Sequence, residues 1–282
     1  MRIIDFHTHI LSPELIADRE ALCEREPWFS QLYAHPKARL AGAEDLVSHM
    51  THEGITASVA FGFPFQDIGL CRACNVYVLD AARRYPGAIL PFAVTNPCAT
   101  GSVAEAQRAL EAGALGIGEL IPDGQGFALN DERTLAPLME LALSHGAPLL
   151  LHVSEPVGHH YAGKGWQGPR EAYALARAHP SNALVLAHWG GGLLFYEHMP
   201  EVKRACVNVY YDTAAGPLLY GKELYADALR WMPRKILFGS DYPLLAARRY
   251  LAAMGPDRSK WEGVLGGNAA RLLGLTESEQ HA

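Results

Sequence analysis

The sequence predicts a single-domain (β/α)8 barrel of the α/β class, on three observations. Eight short apolar, β-branched runs recur along the 282 residues. Helix-like segments separate most of them, and Pro or Gly falls where each helix has to stop. Runs that are apolar throughout, rather than alternating, belong to strands buried on both faces. Their alternation with helices belongs to βαβ units and a parallel sheet. Eight such units in about 250 residues is the count of a closed barrel.

In order, the strand runs are Arg2–Phe6, Ala57–Phe61, Ile89–Val94, Leu115–Glu119, Pro148–His152, Leu184–His188, Val207–Asp212 and Lys235–Gly239. The segment Ala43–Gly54 carries Leu46, Val47 and Met50 on one helical face and stops at Gly54. Asn75–Tyr85 stops at Pro86-Gly87, and Gly101–Gly113 is rich in Ala, Glu and Leu. Asp131–His145 stops at Gly146, Pro169–His179 at Pro180, and Gly221–Met232 at Pro233. Leu265–Leu275 closes the barrel, which spans residues 1–275, and the polar tail 276–282 is expected to fray. An open doubly wound sheet would carry a phosphate-binding glycine fingerprint after its first strand. His7-Thr8-His9 stands there instead. Residues 10–42 make a long first connection with helix-like pieces that can cover the barrel mouth.

Hydrophobic residues make up 49% of the chain, enough for a large core. The formal charge of −6, from 24 basic and 30 acidic residues without a Lys/Arg run, argues against a nucleic-acid partner. The apolar runs are strand-length, too short to span a membrane. The sequence enters its first strand at once, so no secretory signal is expected. Five widely spread cysteines read as reduced thiols, and the expected location is the cytoplasm. Cys71 and Cys74 form a C-x-x-C on one face of a helix and read as packing residues. The expected partner is a small molecule, with homo-oligomerisation left open.

Five strand ends carry metal-binding residue types, and in a parallel barrel all of these ends open to one mouth. His7 and His9, two apart on a strand, share a face and can share an ion about 2.0–2.1 Å away. Asp5 beside them reads as a supporting group. Strand four ends in Glu119, which can bridge two ions, bind substrate or form a buried salt bridge. His152 and His188 end strands five and six. Asp241, in Gly239-Ser240-Asp241-Tyr242-Pro243 after strand eight, can hold a metal and take a proton from water. The polar loop after strand five offers Glu155, His159, Tyr161 and Lys164 for substrate contact. Trp189-Gly190-Gly191-Gly192 is either a surface for backbone contact with substrate or a permissive turn. The other histidines (35, 49, 52, 145, 179, 198 and 281) read as surface residues.

Asp5-Phe6-His7-Thr8-His9, His152, Ala187-His188-Trp189-Gly190-Gly191 and Gly239-Ser240-Asp241-Tyr242-Pro243 together resemble the amidohydrolase superfamily. The closing Gly267-Asn268-Ala269-Ala270-Arg271-Leu272-Leu273 is similar to the last helix of its amidohydrolase-related branch. That branch includes decarboxylases similar to aminocarboxymuconate semialdehyde decarboxylase. The resemblance implies a (β/α)8 barrel with zinc or a similar divalent ion. In mononuclear members the ligands match His7, His9, His152 and Asp241, and His188 acts on water or substrate. In binuclear relatives a strand-four acid bridges two ions and both later histidines hold the second, and Glu119 stands where such a bridge occurs.

The expected activity is metal-dependent hydrolysis of a small amide, lactone or ester. Asp241 activates metal-held water and His188 assists. Nonoxidative decarboxylation of a small carboxylic acid is the alternative, and a non-catalytic ligand-binding barrel comes third. Scarce Arg and Lys near the strand ends favour hydrolysis, because a carboxylate substrate wants a cationic clamp. Lys164 and Arg170 weigh the other way.

Overall fold

The computed structural model describes residues 1–255 and 257–275; the expected fraying tail lies outside them. Eight strands pair in parallel and in chain order: β1 (Ile4–His9), β2 (Ala57–Phe61), β3 (Ile89–Ala93), β4 (Gly116–Leu120), β5 (Leu149–Leu151), β6 (Leu184–Leu186), β7 (Val209–Asp212) and β8 (Ile236–Leu237). The β8 strand is only two residues long, but the chain beyond it runs on beside β1. Phe6 N donates to Phe238 O at 2.7 Å, Asp241 N to His7 O at 3.0 Å and His9 N to Tyr242 O at 2.8 Å. These bonds close the barrel and set Asp241 next to the two histidines of β1.

Side-chain alternation sorts the strand residues into two buried sets. Ile4, Phe6, Val59, Phe61, Leu90, Phe92, Leu150, Val185 and Leu237 fill the barrel interior. Ala60, Ile89, Ile117, Leu149, Leu151, Leu184, Leu186 and Ile236 face outward and pack with helix residues such as Leu46, Val78, Leu135, Leu138 and Leu175. This is the packed core of a (β/α)8 barrel, with two apolar layers separated by the sheet.

Two β-bulges interrupt that alternation. In β1 the register slips between Asp5 and Thr8, so three residues advance against two on β2. After the slip His9 lies beside inward-facing Phe61, and Thr8 beside outward-facing Ala60. In β4 the register slips between Ile117 and Leu120, both of which face outward. A bulge re-aims the side chains around it. Gly118 makes the second one possible: its φ is +121°, and a Cβ there would stand 2.1 Å from Leu150 O.

The six main outer helices are Ala43–Glu53, Ile68–Arg84, Ser102–Glu111, Glu132–Ser144, Pro169–Ala178 and Glu223–Trp231. The second begins seven residues before the expected Asn75. Asp67 caps it, accepting from Gly69 N and Leu70 N, so the stable start lies upstream of the apolar repeat. Cys71 and Cys74 are buried on it. The last helix is shorter than expected, Asn268–Leu272, after a wide turn over Gly263–Gly267. Asn268 anchors it by donating to Pro233 O and Ile236 O. Strand one starts later than expected and includes its histidines, because pairing on both sides continues to His9. The long first connection folds into Pro13–Ala17, Arg19–Arg25 and Pro27–Tyr33. No described helix is long and apolar enough to cross a membrane.

Candidate metal centre and cavity

The bulges and the barrel closure bring His7, His9, Glu119, His152, His188 and Asp241 together as two groups of potential metal donors. In the first group His7 Nε2 and His9 Nε2 are 3.3 Å apart. Glu119 Oε2 lies 3.5 Å from His7 Nε2 and 3.6 Å from His9 Nε2. Asp241 Oδ1 lies 3.7 Å from each of them. A tetrahedral ion with bonds of about 2.0–2.2 Å separates its ligands by roughly 3.3–3.6 Å. The spacing of this group therefore fits one small divalent cation.

The second group takes the other oxygen of the same carboxylate. Glu119 Oε1 is 3.0 Å from His152 Nδ1 and 3.5 Å from His188 Nε2, and the two nitrogens are 3.0 Å apart. Glu119 thus stands between the groups with one oxygen turned to each.

The surroundings orient the rings. His7 Nδ1 is bonded to Asp212 Oδ2 at 2.8 Å, His188 Nδ1 to Ala214 O at 3.1 Å and His9 Nδ1 to Gly62 O at 3.4 Å. Each of these three rings spends Nδ1 on an acceptor behind it and turns Nε2 to the centre. That arrangement raises ligand basicity and fixes the tautomer in metal sites. His152 is reversed, with Nε2 against Ser154 Oγ at 3.3 Å. Asp212 Oδ1 also accepts from His188 N and Ala214 N, so one carboxylate braces a histidine in each group. Asp5 Oδ1 accepts from His7 N and Ser240 N, tying β1 to the segment that carries Asp241.

Backbone strain is concentrated here. Asp241, His188 and Trp189 have φ of +61°, +56° and +60°. Such left-handed positions cost of order 1–3 kcal/mol for non-glycine residues and persist only where the surroundings fix them. Gly190–Gly192 continue the turn with positive φ, and a Cβ on Gly191 would lie 2.4 Å from Ser154 O. The glycine run is therefore a close-packed turn, one of the two roles the sequence leaves open for it.

Electrostatics link the groups. Burial opposes charge on His7, but Asp212 and Glu119 outweigh it and hold its pKa well above the usual value. Burial likewise opposes charge on His188, yet Glu119 and Asp241 raise its pKa to about 9. Burial would raise Glu119, but His7, His152 and His188 hold it well below the normal carboxylate range. His9 is lowered, chiefly by burial. Burial raises Asp5 to about 7 against the hydrogen bonds it accepts. A dense set of nitrogen lone pairs around an ionised carboxylate attracts either protons or a divalent cation.

A cavity of ≈ 390 Å³ opens directly on His9, Glu119, His152, His188 and Asp241. Its other walls are mostly apolar or aromatic: Trp28, Leu32, Tyr33, Phe63, Ile121 and Leu219 among them. His159 and Tyr161 of the candidate substrate loop reach it. Glu155 and Lys164 do not line it. Glu155 Oε2 accepts from the Tyr161 hydroxyl at 2.7 Å, and Lys164 Nζ donates to Val157 O and His159 O, so both hold the loop itself. Of the histidines read as surface residues, His49 and His179 are half-buried. His49 stacks on Tyr242 at 4.5 Å, and His281 lies outside the described residues.

Sequence reasoning passed over Asp212, although it too ends a strand in a carboxylate. It also passed over Tyr33 and Arg39, which reach the cavity from the long first connection. Nothing in their spacing marks them. The Tyr33 ring is held against Phe29 and Phe63, and its hydroxyl bonds to no other described residue. Arg39 is exposed, lies 6.0 Å from the Tyr242 ring centroid and is the single Lys or Arg on the cavity wall.

Solved structures share this fold at low identity. The 5-carboxyvanillate decarboxylase of Sphingomonas paucimobilis is 16% identical with a TM-score of 0.76, covering 98% of this chain and 99% of its own. A dihydroxybenzoic acid decarboxylase of Polaromonas, bound to manganese and the inhibitor 2-nitroresorcinol, is 16% identical with a TM-score of 0.71, covering 100% and 99%. A probable 2-pyrone-4,6-dicarboxylic acid hydrolase of Acinetobacter baumannii, bound to citric acid, is 16% identical with a TM-score of 0.64, covering 97% and 100%. Among curated proteins none matches the chain by sequence. The family model described as "Amidohydrolase" matches residues 4–275. With its eight-stranded barrel and its strand-end histidines and acids, the chain belongs to this amidohydrolase family and is an enzyme of the amidohydrolase superfamily.

Proposed function

We propose that the protein is a metal-dependent hydrolase of a small, largely apolar ester, lactone or amide. The observation that carries this reading is the Glu119 carboxylate, with one oxygen turned to each donor group. His7, His9, Glu119 and Asp241 would hold a first divalent ion, with zinc suited to the four-donor spacing. His152 and His188 with Glu119 would hold a second. Bound there, such an ion polarises a carbonyl and brings the pKa of water to about 7.

The chain's own residues supply the rest. Asp241 is partly open to the cavity and takes the proton of the attacking water. When the second site is empty, His188, which Glu119 and Asp241 keep cationic up to about pH 9, hydrogen-bonds the substrate oxygen that gains negative charge; when the site is filled, it serves as a ligand instead. Trp28, Tyr33 and Phe63 exclude bulk water and take up the apolar body of the substrate. The five free cysteines support a cytoplasmic setting.

A second reading rests on Arg39. A cation on the wall of an aromatic cavity suits a small aromatic carboxylic acid, and nonoxidative decarboxylation would use the same centre. Metal content per chain, measured on purified protein loaded with Zn²⁺ or Mn²⁺, tests the centre. About two ions are expected, falling to about one in Glu119→Gln. Protein that retains no ion refutes both readings. Aryl esters, lactones and aromatic acids assayed for acid release and for CO₂ separate hydrolysis from decarboxylation.

A further inference from the structure

The loop that walls the cavity also carries the most exposed large hydrophobic side chain of the described residues. Trp166 is 91% exposed. Its backbone is nevertheless fixed by three hydrogen bonds. Trp166 N and Gln167 N donate to the two oxygens of Asp123, at 2.9 and 3.3 Å, and Gly165 N donates to Ser154 Oγ at 2.9 Å. A flexible loop would leave an indole free to fold back onto the surface. This one holds it out in water.

Beside Trp166 lies a groove of ≈ 520 Å³, walled by Pro156, Pro169, Tyr173, Leu193, Tyr196 and Val202. Val157 next to it is 75% exposed and Tyr196 is 52% exposed. Monomers rarely leave a fixed, contiguous aromatic face in water.

We propose that this face seats a second copy of the same chain, the two related by a two-fold axis, with each Trp166 entering the groove of the other. Three features select a second copy over a different partner. Knob and groove lie side by side on one face, and a two-fold interface needs such self-complementarity. The charges at the groove, Arg170 and Glu171, cancel, so two chains of net charge −6 meet where repulsion is least. The exposed apolar surface is also concentrated here: Trp166, Val157 and Tyr196 are 91%, 75% and 52% exposed, the kind of centre around which an interface of ~800 Å² per partner is built.

Sedimentation velocity at micromolar concentration tests this without reference to the reaction. The wild type is expected to sediment as a dimer. Trp166→Glu and Tyr196→Arg should each raise the dissociation constant at least about thirty-fold, as loss of an interface hot spot does. Their thermal melts and metal content should match a wild-type control diluted to monomer. Mixing Trp166→Ala with Tyr196→Arg restores one of the two knob–groove contacts and should recover part of the dimer. A monomeric wild type, a dimer that survives Trp166→Glu, or a mixture that gains nothing overturns the proposal.

Discussion

The two halves of the candidate centre are built differently. On the β1/β8 side, His7 Nε2 and His9 Nε2 stand 3.3 Å apart, and each lies 3.5–3.7 Å from Asp241 Oδ1 and from one Glu119 oxygen, the spacing of ligands around an ion. On the β5/β6 side, His152 and His188 close to 3.0 Å, and His152 to 3.0 Å from Glu119. Those are hydrogen-bond lengths, and that side has the three donors His152, His188 and Glu119 Oε1, whereas the first has Glu119 Oε2 beside its own three, His7, His9 and Asp241. A four-donor cage holds its cation without help from solvent. A three-donor site leaves positions for water or substrate. The first half is therefore expected to keep its ion, and the second to exchange it with protons and solvent.

The largest effect that would break this contrast is in metal content. His9→Ala removes a donor from the cage and should leave little bound metal. His188→Ala should leave about one ion per chain while lowering activity by roughly 10²–10⁴-fold. Equal metal loss in the two variants would show that the halves are not distinct.

The second test is the pH dependence of the weaker site. His188 keeps its proton up to about pH 9, and that proton must leave before Nε2 can ligate an ion. Affinity for the second ion should thus rise about tenfold per pH unit below that value and level off above it. Calorimetric titration with Zn²⁺ between pH 6 and about 9 measures the slope. An affinity for the second ion that does not change with pH would remove His188 from the site.

The smallest expected effect concerns Tyr33. Tyr33 lines the same cavity as Glu119 and Asp241, and burial together with their charges holds its phenol protonated, so it has an O–H to donate to a bound anion. Tyr33→Phe should lower kcat by about tenfold or less, the worth of one hydrogen bond, and leave metal content unchanged. A variant that loses metal instead would place Tyr33 in the support of the cage.

Much of this protein is written locally. Apolar runs such as Leu149–Leu151 and Leu184–Leu186 declare buried parallel strands, because they are short, follow Gly or Pro breakers and alternate with helical segments. His7-x-His9 declares a shared face, because side chains repeat every two residues along a strand. Strand ends at His152, His188 and Asp241 declare a common mouth, because parallel strands all finish on one side.

What the sequence leaves open is which way those side chains turn. Strict alternation from Ile4 and Phe6, which face inward, would send His7 and His9 outward. Strict alternation from Ile117, which faces outward, would send Glu119 outward too. Only the two register slips, one in β1 and one in β4, re-aim them to the interior. Asp212, Tyr33 and Arg39 join the site in the same way, through packing between segments far apart in the chain. The pattern of residue types is a one-dimensional property and is legible. The extra residue of a bulge and the closure of β8 on β1 are set by pairing between strands, and only the folded barrel decides them.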